Sequence, residues 1–226
     1  MAFRNKADVI IDHKPDILII PECETPERLS FGLYAQQPSG SIWYGDLPSK
    51  GIGVFTFNDY KIKLLDIHNP EFKYIIPLSI YNEQISYTVF AVWAQNTKNH
   101  YNYTQHVWHA IQYYQPLLGN ENVILTGDFN SNTIWDKQLG VINHTSIVEF
   151  LKGKNIISTY HHFHDQVQGK EKHNTLYMQR NINKPYHIDY CFASSNLIGK
   201  MKNVEVGEYE SWTKHSDHQP LMVTFD

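Results

Sequence analysis

Residues 15–24 read PDILIIPECE, in which four consecutive aliphatic residues lead directly into Pro21 and Glu22. An unbroken aliphatic run of this length is typical of a strand that is buried on both faces. Residues 7–12 favour a helix, which Pro15 would prevent from continuing. A helix that leads into a buried strand predicts an α/β fold.

Downstream of this strand, β-branched and aromatic residues alternate with short turn segments. They predict a run of antiparallel strands over residues 51–57, 61–66, 73–80 and 85–93. Apolar residues then recur at a helical period over residues 104–115, and a short buried strand follows at 122–126.

The second half of the chain is more polar. It predicts a helix over residues 146–152 and an exposed loop over 161–174. The strand candidates are residues 156–160, 175–179, 187–192 and 221–225. Helix followed by strand at each end, with a meander between them, predicts two sheets packed face to face with helices outside.

Length and composition limit the class of protein. The 226 residues contain no repeat and no Gly/Ser linker, which predicts one domain over residues 1–226. The chain is 42% hydrophobic and 19% charged, which excludes disordered and fibrous proteins. A net charge of −4 argues against a surface coated with basic residues, although it allows a local basic groove.

Cysteine and histidine usage gives no zinc motif. Cys23 and Cys191 lie outside any CxxC spacing, so we expect two free core thiols. The histidines at 161, 162 and 164 lack a clear fourth ligand, and we expect them to be solvated. No apolar run approaches the roughly 20 residues that span a bilayer, and no secretory signal is recognisable, which predicts a cytoplasmic protein with no membrane partner.

Two segments place acidic or amide side chains directly after predicted strands, where the loops of an α/β sheet gather. Glu22 follows the first aliphatic run, either as a solvated strand end or as a metal ligand. In LTGDFNS, residues 125–131, Gly127 allows a tight turn that puts Asp128 and Asn130 at the strand terminus. Taken alone, each segment is also compatible with an ordinary turn.

Two later segments add further candidates. In HIDYCF, residues 187–192, strand alternation points His187 and Asp189 to the same side. In HSDHQP, residues 215–220, Asp217 and His218 precede the last predicted strand, either as a cap and turn or as a catalytic pair.

Together and in this order, PDILIIPECE, LTGDFNS, HIDYCF and HSDHQP resemble the endonuclease/exonuclease/phosphatase superfamily, which includes exonuclease III and deoxyribonuclease I. The resemblance covers nearly the whole chain. It implies a four-layer α/β/β/α sandwich of two mixed sheets flanked by helices. It also implies that the chain lacks the family's first strand, which normally ends in Trp-Asn, so we expect an exposed sheet edge and one missing ligand.

The resemblance assigns roles to the acidic residues. Glu22 and Asp217 match the residues that hold Mg²⁺, with Mn²⁺ as a substitute. Asp128 matches the residue that positions the attacking water, and Asp189 the aspartate that orients its neighbours. Such carboxylates suit phosphodiester hydrolysis, in which a cation must offset the negative charge of the phosphate.

Three further residues would meet the substrate. Asn130 and His218 match residues that hold the scissile phosphate or stabilise its developing charge. Relatives offer a histidine or tyrosine after the strand that ends here at Trp93. Gln95, Tyr101 and Tyr103 are the candidates at that place in this chain, and the two aromatic residues are also compatible with simple packing.

The resulting hypothesis is a Mg²⁺-dependent phosphodiesterase, a phosphoric ester hydrolase whose substrate is DNA or RNA. One alternative is a phosphatase or phosphodiesterase acting on a small or lipid-linked phosphate. Another is a non-catalytic binding module of the same fold. No protein partner is evident from the sequence.

Overall fold

The structure is a computed structural model that describes residues 3–31, 36–97 and 101–226. The strands are β1 (Ile17–Cys23), β2 (Gly40–Leu47), β3 (Lys50–Thr56), β4 (Lys61–Leu64), β5 (Ile75–Tyr81), β6 (Ser86–Trp93), β7 (Val123–Asp128), β8 (Ile156–Ser158), β9 (Leu176–Tyr177), β10 (Pro185–Tyr186), β11 (Asp189–Ser194), β12 (Met201–Val206) and β13 (Leu221–Phe225). The α-helices are α1 (Ala7–Ile11), α2 (Tyr103–Tyr113), α3 (Asp136–Leu139), α4 (His144–Lys152), α5 (Thr159–His164), α6 (Ser195–Ile198) and α7 (Tyr209–Trp212).

A six-stranded mixed sheet, in the order β4-β5-β6-β7-β11-β8, forms the centre of the fold. The last three strands of the predicted run form a meander here, because β4, β5 and β6 pair in sequence and antiparallel, whereas the first, β3, lies in another sheet. β6 and β7 pair in parallel, and the connection between them contains α2. Parallel neighbours need such a crossover, since a tight turn can join only antiparallel strands.

A second sheet, in the order β1-β3-β2, packs on the first. Side chains from both sheets form one apolar cluster between them, as Ile52 and Val54 of β3 meet Leu78 and Val89 of the larger sheet. Ile17 and Ile19 contact this cluster, whereas Leu18 and Ile20 contact the cluster on the other face of β1. The aliphatic run of β1 is therefore buried on both faces, as predicted.

Helices cover the outer face of each sheet. Phe3, Ala7 and Ile11 are buried against the outer face of the smaller sheet. On the far side, Val107 of α2 and Ile147 of α4 pack on the larger sheet. The four layers confirm the α/β/β/α sandwich.

The two main outer helices begin at capping boxes. The Asn102 side chain accepts a hydrogen bond from the amide of Gln105, and the Asn143 side chain accepts one from the amide of Ser146. Each cap satisfies an amide that the first helical turn leaves without an intrahelical partner. The caps place the helix starts one or two residues before the predicted positions.

The smaller sheet has β1 at one of its edges. Among the strands of the described ranges, β1 pairs with β3, and β13 pairs with β12 in a separate ribbon. The three-stranded sheet therefore ends at β1.

Several strands and helices differ from the sequence-based expectations, among them the short elements β10, α3, α6 and α7, which were not predicted. β2 and β12 were not anticipated, because GSIWYGDL and MKNVEV mix charged, small and apolar residues without a clear period. The predicted strand over 156–160 ends at Ser158, and α5 replaces the start of the expected loop. The loop is also less solvated than expected, since the His161 and Glu171 side chains are only 9% and 6% exposed.

Two further sequence-based expectations were that both cysteines are free core thiols and that no segment spans a membrane. Cys23 and Cys191 are free and buried, as expected. No helix in the described ranges has the length and apolarity to cross a bilayer.

Buried histidines on α2 and α4 predict a loss of stability in mild acid. Burial lowers the pKa of both His106 and His144 from the ordinary 6.5 to about 4. Between these pH values the two histidines are protonated in the unfolded chain but stay neutral in the folded chain. The free energy of unfolding should therefore fall as pH drops from 6.5 to 4, by about 1.4 kcal/mol per pH unit for each group.

Urea unfolding of the parent and of His106→Asn tests this prediction. The substituted amide side chain would keep an acceptor for the Gln95 amide, which donates to His106 Nδ1 at 3.1 Å in the parent. In His106→Asn the slope of the unfolding free energy against pH should correspond to about one proton fewer than in the parent, whereas the exposed control His162→Asn should keep the parental slope. Identical pH slopes in the parent and His106→Asn would contradict the prediction.

Candidate active site

Two carboxyl groups face each other at one end of the six-stranded sheet. Asp128 is the last residue of β7 and is in register with Asp189, the first residue of β11. Together with His218 they form a group whose potential ligand atoms all lie within 4.8 Å of one another, and it is the one such group in the described ranges.

The turn after β7 holds the Asp128 carboxyl in place. The Asn130 amide donates to Asp128 Oδ1 and its side-chain Nδ2 donates to Oδ2, both at 2.8 Å. Nδ2 also donates to the Ala94 carbonyl at 3.3 Å, which ties the turn to the end of β6. Asn130 takes φ 48°, a left-handed conformation that asparagine tolerates better than most residues. Both oxygens of a buried carboxyl are thus hydrogen-bonded.

His218 approaches the pair from the segment before β13. Its Nδ1 donates to Asp189 Oδ2 at 3.0 Å and lies 3.2 Å from Oδ1. The segment is held in turn by β9, since Tyr177 donates its amide to the Asp217 carbonyl at 2.8 Å and Leu176 bridges to His218. The predicted Asp-His pair therefore contributes His218 to the tight group.

Burial and charge set the protonation of the group. Burial and the charge of Asp189 raise the pKa of Asp128 to about 8. Burial alone would lower the pKa of His218, but the attraction and hydrogen bond of Asp189 outweigh it and raise that pKa to about 9. At neutral pH His218 is then an imidazolium that donates to Asp189, and such a ring has no lone pair on Nδ1 for a metal.

Glu22 and Asp217, the two predicted metal ligands, flank the tight group and are not members of it. Glu22 lies at a bulge where β1 shifts register against β3, with φ 58°, and its carboxylate accepts an ion-paired hydrogen bond from Lys50 Nζ at 2.9 Å. A bulge redirects a side chain from the regular alternation of a strand. Glu22 contributes to the raised pKa of Asp128, and Asp217 contributes to that of His218, so both charges act on the group.

Gln95 lies beside the site, just past the end of β6. It follows Ala94, whose carbonyl accepts from Asn130, and its own Nε2 donates back to that carbonyl at 3.2 Å. The structure thus brings together the strand ends that carry Glu22, Gln95, Asp128 and Asp189, with His218 above them. The catalytic and binding roles of these residues remain predictions.

Sequence reasoning missed Lys6. Its Nζ donates to Ser216 Oγ at 3.1 Å, although 210 residues separate the two in the chain. Burial lowers the pKa of this ammonium, and the charges of Asp217, Asp189 and Glu22 oppose that effect. No signal in the sequence marks Lys6, because it precedes a short helix rather than following a strand.

A second missed feature is a buried polar network behind the turn after β7. Glu171 accepts hydrogen bonds from His161 Nε2 at 3.0 Å, the Gly169 amide at 2.9 Å and Asn132 Nδ2 at 3.2 Å. Burial alone would raise the pKa of Glu171, but the hydrogen bonds from His161 and Gly169 lower it to about 2. Asn132 also donates to Tyr190 Oη at 3.0 Å, so the network fixes the turn that presents Asn130.

No protein-family model matches the sequence, and no curated protein matches it either. The fold, however, is similar to solved structures of nucleic-acid enzymes. An AP endonuclease from Archaeoglobus fulgidus superposes with a TM-score of 0.72 at 16% identity, covering 100% of this chain and 96% of that one.

Two further solved structures have the same architecture. The 3′ phosphatase NExo from Neisseria, bound to a product DNA hairpin, gives a TM-score of 0.67 at 13% identity over 100% of this chain and 96% of that one. The AP endonuclease LMAP from Leishmania major gives 0.69 at 14% identity over 96% and 80%. These similarities confirm the fold that the resemblance to the endonuclease/exonuclease/phosphatase superfamily implies.

Gly127 should be indispensable for the strand that carries Asp128. It adopts φ +136°, and an added Cβ would lie 2.0 Å from the Val92 carbonyl oxygen of the neighbouring strand. Gly127→Ala should therefore lower the free energy of unfolding by about 3 kcal/mol or more, through backbone strain and overlap combined. Gly119→Ala is the matched control, since an added Cβ there meets nothing within 4 Å. Chemical denaturation giving the two variants equal stability would contradict the prediction.

Glu171→Gln should weaken the network behind the turn. The substitution removes the charge from a buried acceptor of three hydrogen bonds, so we expect a loss of about 3 kcal/mol at pH 7. The exposed control Glu149→Gln should change stability by less than about 0.5 kcal/mol.

The pH dependence gives a second measure of the same group. The pKa of Glu171 lies below its ordinary 4.5, so its contribution is complete above pH 4.5 and is lost as pH falls toward about 2. The difference in unfolding free energy between the parent and Glu171→Gln should shrink over that range. A difference that is constant with pH would contradict this prediction.

Proposed function

We propose that this protein is a divalent-metal-dependent phosphodiesterase that hydrolyses nucleic acid. The observation that carries the proposal is the buried Asp128–Asp189 pair with its bound imidazolium, His218, at the strand ends of this sandwich. Buried acidic groups with displaced pKa values in contact with a cation are frequent at catalytic centres.

The oxygen donors of the site fit Mg²⁺ better than a softer metal. Mg²⁺ prefers one or two carboxylates together with waters, and Glu22 and Asp217 would supply the carboxylates. Mn²⁺ accepts the same donors. A bound divalent cation would offset the phosphate's negative charge and lower the pKa of a coordinated water.

The protein's own groups account for the remaining requirements. Asp128 would accept the proton of the attacking water, and a carboxyl with a pKa near neutrality suits that task. Asp189 would hold the ring of His218, whose Nε2 proton is then available to an oxygen of the phosphate.

The role of Asn130 follows from its hydrogen bonds. Its Nδ2 already donates to Asp128 and to Ala94, so both amide protons are engaged by the protein. We therefore propose that Asn130 aims the Asp128 carboxyl, and that Gln95 and His218 provide the contacts to the phosphate.

Nucleic acid is the favoured substrate because of the similar folds. The neighbours are AP endonucleases and a 3′ phosphatase bound to a DNA hairpin. The acidic net charge limits binding to a local surface, since a chain of charge −4 does not attract DNA over its whole face.

The test is hydrolysis of bis-p-nitrophenyl phosphate, plasmid DNA and a 3′-phosphorylated oligonucleotide, each with Mg²⁺ and with EDTA. We expect turnover that requires the metal. Asp128→Asn and His218→Gln should each lower kcat/KM by about 10²–10⁴, because each removes a group that acts on the transition state.

Asp165→Asn is the matched control, because Asp165 is exposed and lies outside the site. It should keep the parental kcat/KM, and circular dichroism should show all variants folded. Undiminished turnover by Asp128→Asn, or no turnover by the parent on any of the three substrates, would refute the proposed function.

A further inference from the structure

Lys6 is held firmly by the backbone that precedes α1. Its amide donates to the Phe3 carbonyl at 2.9 Å, and its carbonyl accepts from the Ile10 amide at 3.2 Å. Phe3 and Ala7 are fully buried, and the Phe3 amide donates to Glu24 at 2.7 Å. The position from which the lysine side chain extends is therefore set by packing.

The ammonium end meets the segment that carries Asp217 and His218. Lys6 Nζ donates to Ser216 Oγ at 3.1 Å, and the same oxygen accepts the His218 amide at 3.2 Å. Ser216 is only 4% exposed. The hydroxyl thus links the lysine to the backbone of the proposed catalytic segment.

Charge explains why a lysine can occupy this half-buried place. A buried ammonium is costly unless a negative charge compensates it, and a hydroxyl supplies only a dipole. Lys6 binds Ser216, the residue directly before Asp217, and the negative charges of Asp217, Asp189 and Glu22 oppose the lowering of the Lys6 pKa by burial.

Two other carboxylates of the site are each paired with a cation of their own. Glu22 is paired with Lys50 at 2.9 Å, and Asp189 with His218 at 3.0 Å. The charge of Asp217 acts on both His218 and Lys6, and Lys6, bound to the residue before Asp217, offsets part of the negative charge that Asp217 adds to the site.

We propose that Lys6 is the internal counter-ion of the site and sets its affinity for divalent cations. Lys6 is a positioning residue in this role, because it acts through the carboxylates. The inference rests on the proposed function in taking Glu22 and Asp217 as the metal ligands. A divalent cation at these carboxylates must overcome the repulsion of the ammonium, so Lys6 lowers the affinity for metal.

Titration of the metal-free protein with Mn²⁺ in a calorimeter tests this role without any turnover. Lys6→Met removes the charge and keeps the apolar stem, and should lower the Kd for Mn²⁺ by about tenfold. Lys6→Arg keeps the charge and should stay within about threefold of the parent. Lys63→Met removes a charge from an exposed position on β4 and should leave the Kd unchanged.

A gain of metal affinity is the decisive result, because a lysine with a merely structural role would not produce it. A Kd that is unchanged or weaker in folded Lys6→Met would overturn the inference, as would an absence of binding by both the parent and the variant. If Lys6→Met is unfolded without metal, Lys6→Gln in a thermal melt replaces it. Mn²⁺ should then raise the Tm of Lys6→Gln more than that of the parent, and an equal or smaller rise overturns the inference.

The two proposals fail in different ways. Tighter Mn²⁺ binding by Lys6→Met with no hydrolysis by the parent would refute the phosphodiesterase and keep the role of Lys6. Hydrolysis by the parent together with an unaltered Mn²⁺ affinity in Lys6→Met would keep the phosphodiesterase and refute the role of Lys6.

Discussion

The pairing of Asp128 with Asp189 across adjacent antiparallel strands is the constraint on which the site depends. Ligand atoms of the two carboxyl groups lie within 4.8 Å of each other, so two negative charges there would repel. Burial and the charge of Asp189 therefore raise the pKa of Asp128. Gly127, the residue before Asp128, lets β7 pass close to the Val92 carbonyl of β6.

The cations around the pair relieve this repulsion in different ways. His218 donates directly to Asp189, Lys50 pairs with Glu22 at the bulge, and Lys6 reaches in from a distant part of the chain. Acidic groups gathered in a partly buried site repel one another, and internal cations offset that repulsion. This balance connects the stability of the sandwich to its proposed chemistry.

Support for the site extends beyond the charged groups. Glu171 gathers hydrogen bonds from His161, Gly169 and Asn132, and Asn132 lies two residues after Asn130 in the turn. Glu171 thus fixes the turn after β7 through Asn132, and Asn130 of the same turn fixes the Asp128 carboxyl. For the proposed hydrolysis, preorganised groups of this kind would spare the reorganisation that a flexible loop requires.

The sequence alone determined the layers of the fold and the placement of Asp128 and Asp189 at the ends of strands. The aliphatic run of β1 is buried on both faces, and the longer helices α2 and α4 and most strands follow the local periods of the chain, because burial of one face imposes a period on the sequence. β2 and β12 escaped prediction since their mixed composition carries no such period. Tertiary structure alone decided that Asp128 opposes Asp189, that both amide protons of Asn130 are already engaged, and that Lys6 meets Ser216 from 210 residues away. Contacts between distant residues depend on register and on how layers stack, and no local pattern in the sequence records either one.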